Sequence, residues 1–306
     1  MILKTRPTYN SQMSGTFKDK LLSDNFLITA EISPPKGTDL SEAISDAEVT
    51  RGWVDALNVT DNQKAVMRMS PLAVSRALLD AGHEVIMQLT CRDRNRLALQ
   101  SDLLGAYAMG VRNICIMTGD HTTKGDHPKT KPVYDLDSVQ LLTIIKKMKE
   151  GYDLAGNKID EPPEFVVGAV TNTDPSKAAQ MMKLRKKAKT GIDFIQTQAV
   201  YDISKFEAFM EANGDIDIPI IAGVIPLKSA KMARYMNKNI PGINVPDDII
   251  DTMERSDDPI EQGMSICSEA ISELKKLCRG IHFMPIGKHD NTPIILEMAG
   301  IRKNDQ

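Results

Sequence analysis

Cysteine is scarce: the 306 residues hold four, Cys91, Cys115, Cys267 and Cys278, and no two form a CxxC pair. No histidine stands at metal-ligand spacing from them, which argues against a zinc or iron–sulfur centre bound by this chain alone. Buried free thiols in a reducing cytoplasm are the expectation. Excess charge is lacking too. A formal net charge of −3 and a pI near 6.0 leave no basic footprint for a nucleic-acid backbone, and the short runs KTRPTYN, KLRKKAK and SELKKLCR read as solvated helix faces. No uninterrupted apolar run approaches the length of a membrane span, and the opening MILKTR lacks the apolar core of a signal peptide. No linker rich in Pro, Gly or Ser divides the chain, so residues 1–306 are expected to form one domain.

What is present is a rhythm. Eight short β-branched runs recur: FLITAEIS (26–33), DALNVTD (55–61), EVIMQLTC (84–91), NICIMTGD (113–120), FVVGAVTN (165–172), FIQTQAVYD (194–202), PIIAGVIPL (219–227) and GIHFMPIG (280–287). Amphipathic stretches such as SPLAVSRALLDAG and RLALQSDLLGAYAMG lie between them, most closed by a Gly suited to a helix C-cap. Alternating strands and helices imply parallel strands with right-handed crossovers. Eight repeats in this length favour a closed (β/α)8 TIM barrel over an open doubly wound sheet, and no GxGxxG follows the first strand. Residues 1–25 are expected to form an N-terminal arm closing the barrel's bottom, and residues 240–279 a helical insertion before the eighth strand.

Active sites of such barrels lie at the C-terminal ends of the strands. In the first strand alternation puts Leu27, Thr29 and Glu31 on the inner face, with Ile28, Ala30 and Ile32 packed on helices. The same test turns Asn58, Thr60, Gln88, Thr90, Thr118, Asp120, Gln196 and Gln198 inward. Glu31 and Asp120 are costly to bury unpaired, and desolvation with a second acid nearby would raise a carboxyl toward the range of a general acid. No Lys ends a strand in a Schiff-base position, no Ser sits in GxSxG, and no acid or His cluster has metal spacing, so an organic cofactor is expected to supply the reactivity.

These residues carry a resemblance. TAEISPPKG at the first strand, LNVTDN at the second, QLTCRDRN at the third, NICIMTGDH at the fourth, LRKKAKTGIDFIQTQAVYD, PIIAGVIPL and GIHFMPIG together resemble the methylenetetrahydrofolate reductase family, along nearly the whole chain. The resemblance implies a flavoenzyme in which FAD passes hydride to 5,10-methylenetetrahydrofolate to give 5-methyltetrahydrofolate. It makes Glu31 the general acid and Asp120 a catalytic acid holding the pterin, with Gln198, Gln196 and Tyr201 at the substrate. Thr60, Gln88, Met117, Thr118, Gly119, Asp120, Tyr134, Asp135, Asp174 and Lys187 fall at FAD-binding positions, Lys187 serving the pyrophosphate. The chain departs from the best-known bacterial members at Gln88, Thr118 and Asp174, where they have His, Arg and His. Ala230 stands where NADH-using members carry an aromatic. The resemblance implies NADH or a partner electron-transfer protein, such as an iron–sulfur protein, as electron donor, and a homo- or hetero-oligomer as the assembly. The alternative is a flavin-bearing or flavin-free subunit of a larger electron-transfer assembly.

Overall fold

The computed structural model describes residues 16–304, so residues 1–15 of the expected arm lie outside the described residues. Strands β1 Leu27–Ile32, β2 Ala56–Val59, β3 Val85–Thr90, β4 Asn113–Met117, β5 Val166–Thr171, β6 Phe194–Ala199, β7 Ile220–Val224 and β8 Gly280–Phe283 pair in sequence order and close into a barrel. Each lies inside one of the eight β-branched runs. All neighbours are parallel, so the chain must cross over outside the sheet. Helices α2 Ser41–Val49, α3 Pro71–Asp80, α4 Arg96–Ala108, α5 Ser138–Lys149, α6 Ala178–Ala188 and α7 Ile203–Ala212 make the first six crossovers. The (β/α)8 TIM barrel expected from the repeat is the observed architecture.

Local chemistry sets the helix limits. Asn95 Oδ1 accepts from Ala98 N–H (3.0 Å) as the N-cap of α4, and the chain leaves that helix through Gly110 at φ 96°, a conformation a β-carbon disfavours. Asp137 and Gln140 form a reciprocal capping box on α5.

Alternation then sorts the side chains. Ile28, Ala30 and Ile32 join Leu57, Val59, Met87 and Leu89 in the core between sheet and helices. Leu27, Ala56, Ile86, Cys115, Val166, Phe194 and Ile221 cluster with Phe17 and Leu21, two residues of α1 Phe17–Leu22. Helix α1 thereby plugs the barrel's N-terminal end, Phe17 lying edge-on to Phe194 with ring centroids 5.4 Å apart. Burying such an aromatic is worth roughly 2–3 kcal/mol.

The segment before β8 refines the expectation. It holds α8 Ala230–Asn239, α9 Asp247–Arg255 and α10 Pro259–Leu274. Cys267, Ile271 and Leu274 of α10 pack into the main core, and α10 meets β7 and β8, so it is the covering crossover helix. The inserted layer is α8 with α9, whose Ala233, Met236, Ile250 and Met253 form a satellite core with Leu227 and Tyr201. Both kinds of helix carry the same amphipathic period, so periodicity alone starts the insertion too late. Helix α11 Thr292–Met298 follows β8. Among the described residues no helix is long and apolar enough to cross a membrane, and no group of three or more His, Cys, Asp or Glu could hold a metal ion.

Candidate active site

Above the apolar floor the barrel interior turns polar. Asn58 Nδ2 donates to Gln196 Oε1 (2.8 Å), and Gln196 Nε2 donates to Thr29 Oγ1 and Asn58 Oδ1 (3.2 Å each). Thr29 Oγ1 lies 2.9 Å from His282 Nδ1. All four side chains are buried, and burial pushes the His282 imidazole down to about 3, so the layer is uncharged at neutral pH. A satisfied polar layer of this kind is stable and rigid. Gln196, expected to meet the substrate, has both N–H groups committed inside it. His282 escaped the sequence reading. Its place in GIHF, two residues beyond Gly280 on the inward face, was the available signal.

Two connected lobes stand on this layer at the C-terminal rim. One, of about 550 Å³, is polar and includes Gln88, Met117, Thr118, Gly119, Gln180, Lys183 and Lys187. The other, of about 620 Å³, is walled in part by Met232, Tyr235 and Met236 of α8 and by Ile240 and Ile243 between α8 and α9. Glu31, Gln63, Lys64, Asp120, Gln198 and Met284 line both lobes and form the waist between them.

Glu31, the penultimate residue of β1, is only 9% exposed there. Burial pushes its carboxyl up to about 7, against the pull of the Gln63 and Gln88 amides and the Lys64 ammonium. Gln63 Nε2 donates to Glu31 Oε2 at 2.8 Å, and the buried His289 Nε2 meets the Glu31 carbonyl oxygen at 2.8 Å. The like-charge push expected from Asp120 is not among the causes. Asp120 lies beyond the end of β4, where strand alternation no longer applies, and its 45%-exposed carboxylate turns to Lys124 Nζ at 3.3 Å.

The loops around Glu31 are tied to one another. Arg68 Nη1 donates to the Pro34 carbonyl (3.0 Å) and Met69 N–H to the Pro35 carbonyl (2.9 Å), so the Pro-Pro turn after β1 is clamped to the segment after β2. In that segment Asn62, Lys64 and Ala65 have φ of 46°, 56° and 58°. Such backbone costs roughly 1–3 kcal/mol per non-glycine residue and persists only where neighbours over-determine it. Arg92, 2% exposed, supplies part of that constraint: Nη2 donates to the Asn62 carbonyl (3.1 Å), Nη1 to the Asp120 carbonyl (3.3 Å), and Asp93 pairs with it at 2.7 Å. Asp61 Oδ2 accepts from Thr90 N–H, Thr90 Oγ1 and Arg94 Nη1, at 2.8, 2.9 and 2.8 Å. Gln63, Lys64 and Arg92 were not singled out from sequence, because irregular segments carry no periodic signal.

The remaining expected residues divide. Lys187 is 6% exposed, which overturns a solvated surface lysine; its Nζ donates to the Val170 carbonyl (2.6 Å), and burial, with Lys183 nearby, pushes it down to about 8. Thr118 Oγ1 donates to Ser138 Oγ (3.2 Å) and accepts from Lys183 Nζ (3.4 Å). Gln198 Oε1 accepts from Ala199 N–H (3.0 Å), which leaves its amide N–H groups as donors. Five residues line neither lobe. Thr60 is buried with an unpartnered hydroxyl, Tyr134 donates to the Gly119 carbonyl (3.1 Å), and Asp135 pairs with Arg96 (2.8 Å). Asp174 accepts from Ser176 N–H (3.0 Å), and Tyr201, beyond the end of β6, donates to the Ile225 carbonyl (2.8 Å) within the satellite core.

Known proteins resemble this chain in sequence and in fold. A family model described as methylenetetrahydrofolate reductase matches residues 16–300. The chain is 25% identical over 249 residues to the "Probable methylenetetrahydrofolate reductase (NADPH)" of Caenorhabditis elegans, covering 76% of this chain and 35% of that protein. It is 24% identical over 306 residues to "Methylenetetrahydrofolate reductase 2" of Schizosaccharomyces pombe, covering 92% and 47%. The chain thus spans less than half the length of these relatives. Among solved structures, a Clostridium thermocellum protein described as binding two copies of 5-methyl-5,6,7,8-tetrahydrofolic acid matches with a TM-score of 0.64 at 16% identity, covering 92% of this chain and 97% of that one. The Bacillus cereus spore cortex-lytic enzyme SleL matches with 0.53 at 11%, covering 92% and 76%. At such identities the likeness is one of fold. The family match runs from the N-cap of α1 past the end of α11, through every strand that carries the rim: the chain belongs to the methylenetetrahydrofolate reductase family.

Proposed function

We propose that the chain is a flavin-dependent oxidoreductase that reduces 5,10-methylenetetrahydrofolate to 5-methyltetrahydrofolate, with FAD in the polar lobe and the folate meeting Glu31 at the waist. Glu31 carries this reading: a buried carboxyl raised to about 7 at the junction of two ligand-sized lobes. The polar lobe's donor set fits the cofactor. Gln88, Thr118 and Gln180 offer amides and a hydroxyl to a heterocycle edge, and Gln180 Oε1 is buried without a partner. Met117 and Gly119 add a close wall, and buried Lys187 with Lys183 offers positive charge to a diphosphate. Bound there, FAD would supply the hydride chemistry that no side chain of the chain provides.

Glu31 would donate its proton to the ring nitrogen that leaves as the folate's imidazolidine opens, making the methylene carbon electrophilic. An ordinary glutamic acid would be protonated only about 0.3% of the time at neutral pH, whereas one near 7 is about half protonated. Gln198 would donate to the pterin edge and Asp120 accept from it across the waist. Electrons would reach the protein from NADH, NADPH or a partner electron-transfer protein.

The purified chain with FAD should be yellow, bleach with NADH, NADPH or reduced ferredoxin, and recolour with methylenetetrahydrofolate. Glu31→Gln should keep the flavin and its bleaching but recolour about 10³-fold more slowly. A chain that takes up no FAD, or a variant that recolours at the wild-type rate, overturns the reading.

A further inference from the structure

We infer that Gln63 is a positioning residue for Glu31, delivered to it by a backbone bend built for that contact. The inference rests on the acid role proposed for Glu31. Its support is geometric. Gln63 sits between Asn62 and the pair Lys64 and Ala65, all three with φ in the left-handed region although none is glycine. Asn adopts that region with little penalty, but Lys and Ala do not. The bend is held from both sides: Asn62 Oδ1 accepts from Arg68 N–H (2.9 Å), Asn62 Nδ2 donates to Asp93 (3.2 Å), and Met67 N–H donates to Asp126 (3.0 Å). Gly125 permits it, since a β-carbon there would lie 1.7 Å from the Ala65 carbonyl oxygen. The one side chain that these constraints send into the waist to touch the acid is Gln63, its Nε2 2.8 Å from Glu31 Oε2.

An N–H donor stabilises the charged form of its acceptor, so Gln63 favours release of the proton that burial favours keeping. It also commits Oε2 as an acceptor, which fixes the carboxyl's rotation. The charged and titratable groups lining the lobes with Glu31 include Lys64 and Arg68 after β2, Arg92 after β3, Asp120 after β4, His282 in β8 and His289 beyond it, with Glu42 and Asp46 on α2. Burial depresses both imidazoles, His282 down to about 3, so Glu31 takes its proton before His282 as pH falls.

The test follows the Glu31 carboxyl carbon by NMR in the full chain labelled with carboxyl-¹³C glutamate, without folate, the signal being assigned by its loss in Glu31→Gln. Gln63→Met keeps the length and removes the donor, and the Glu31 titration should move up by about one pH unit. Gly125→Ala leaves Gln63 in place chemically but pushes the bend away, and should move it the same way. A Glu31 titration unchanged in Gln63→Met, or in Gly125→Ala should the first variant not fold, overturns the inference. A titration that shifts in the variants while the wild-type chain loaded with FAD reduces no folate overturns the acid role instead.

Discussion

Glu31→Gln should make the ligand-free protein more stable than wild type at alkaline pH and leave it nearly unchanged in mild acid. Folding raises this carboxyl from 4.5 to about 7, chiefly by desolvation. Below about 4.5 the folded and unfolded chains both hold the proton, so the shift has no effect there on relative stability with pH. Between the two values the unfolded chain releases its proton while the folded one keeps it, and stability falls as pH rises through that window. Above about 7 the native state carries a buried carboxylate; at ~1.36 kcal/mol per unit the accumulated loss is about 3 kcal/mol. A neutral amide of the same shape has no such term, and its oxygen still accepts from Gln63. Urea unfolding of both proteins at several values from about pH 5 to 8.5 gives the difference directly. The variant's advantage should grow with pH and level off beyond the folded-state value. A difference that is flat with pH refutes the buried, raised carboxyl, and with it the acid role.

Lys187 offers the complementary case. Its ammonium is pushed from 10.5 down to about 8, so the unfolded chain binds that proton more tightly and stability rises with pH between those values. Lys187→Met should therefore raise ligand-free stability at neutral pH by about 3 kcal/mol while weakening FAD binding about 10- to 100-fold. Unchanged flavin affinity by titration would separate Lys187 from the cofactor. Phe17→Ala should cost about 3–5 kcal/mol in urea unfolding without altering FAD affinity, because it opens a cavity at the opposite end of the barrel. A loss below about 1 kcal/mol would mean that α1 does not brace the floor.

Legibility in the sequence followed the strands. Period-two alternation holds wherever the chain is extended, so Thr29, Glu31, Asn58 and Gln196 fall on the inner face as expected. It ends where extension stops. Asp120, beyond β4, still lines both lobes with its carboxylate at Lys124, while Tyr201, placed at the substrate by the resemblance alone, turns into the satellite core. The helical insertion was visible, but α10 and the added helices share one period, and only packing separates them. Gln63 and Lys64 were beyond reach for another reason. Their placement depends on left-handed backbone at residues that ordinarily avoid it, which no local propensity announces. His282 was within reach, a lone imidazole on the inward face of an apolar strand.

Arg92 reaches from the end of β3 to the carbonyls of Asn62 and Asp120, joining the segments after β2 and β4 through one planar group. Burial works against its charge, and the pairing with Asp93 outweighs that, holding the guanidinium above its ordinary value. It therefore stays charged at every pH at which Glu31 changes state. In the proposed acid role the carboxyl would give up and regain its proton beside a guanidinium whose charge does not change. Before and after each proton transfer the rim would differ by one hydrogen rather than by a change of shape, and the acid could be reset between turnovers with no hinge to move.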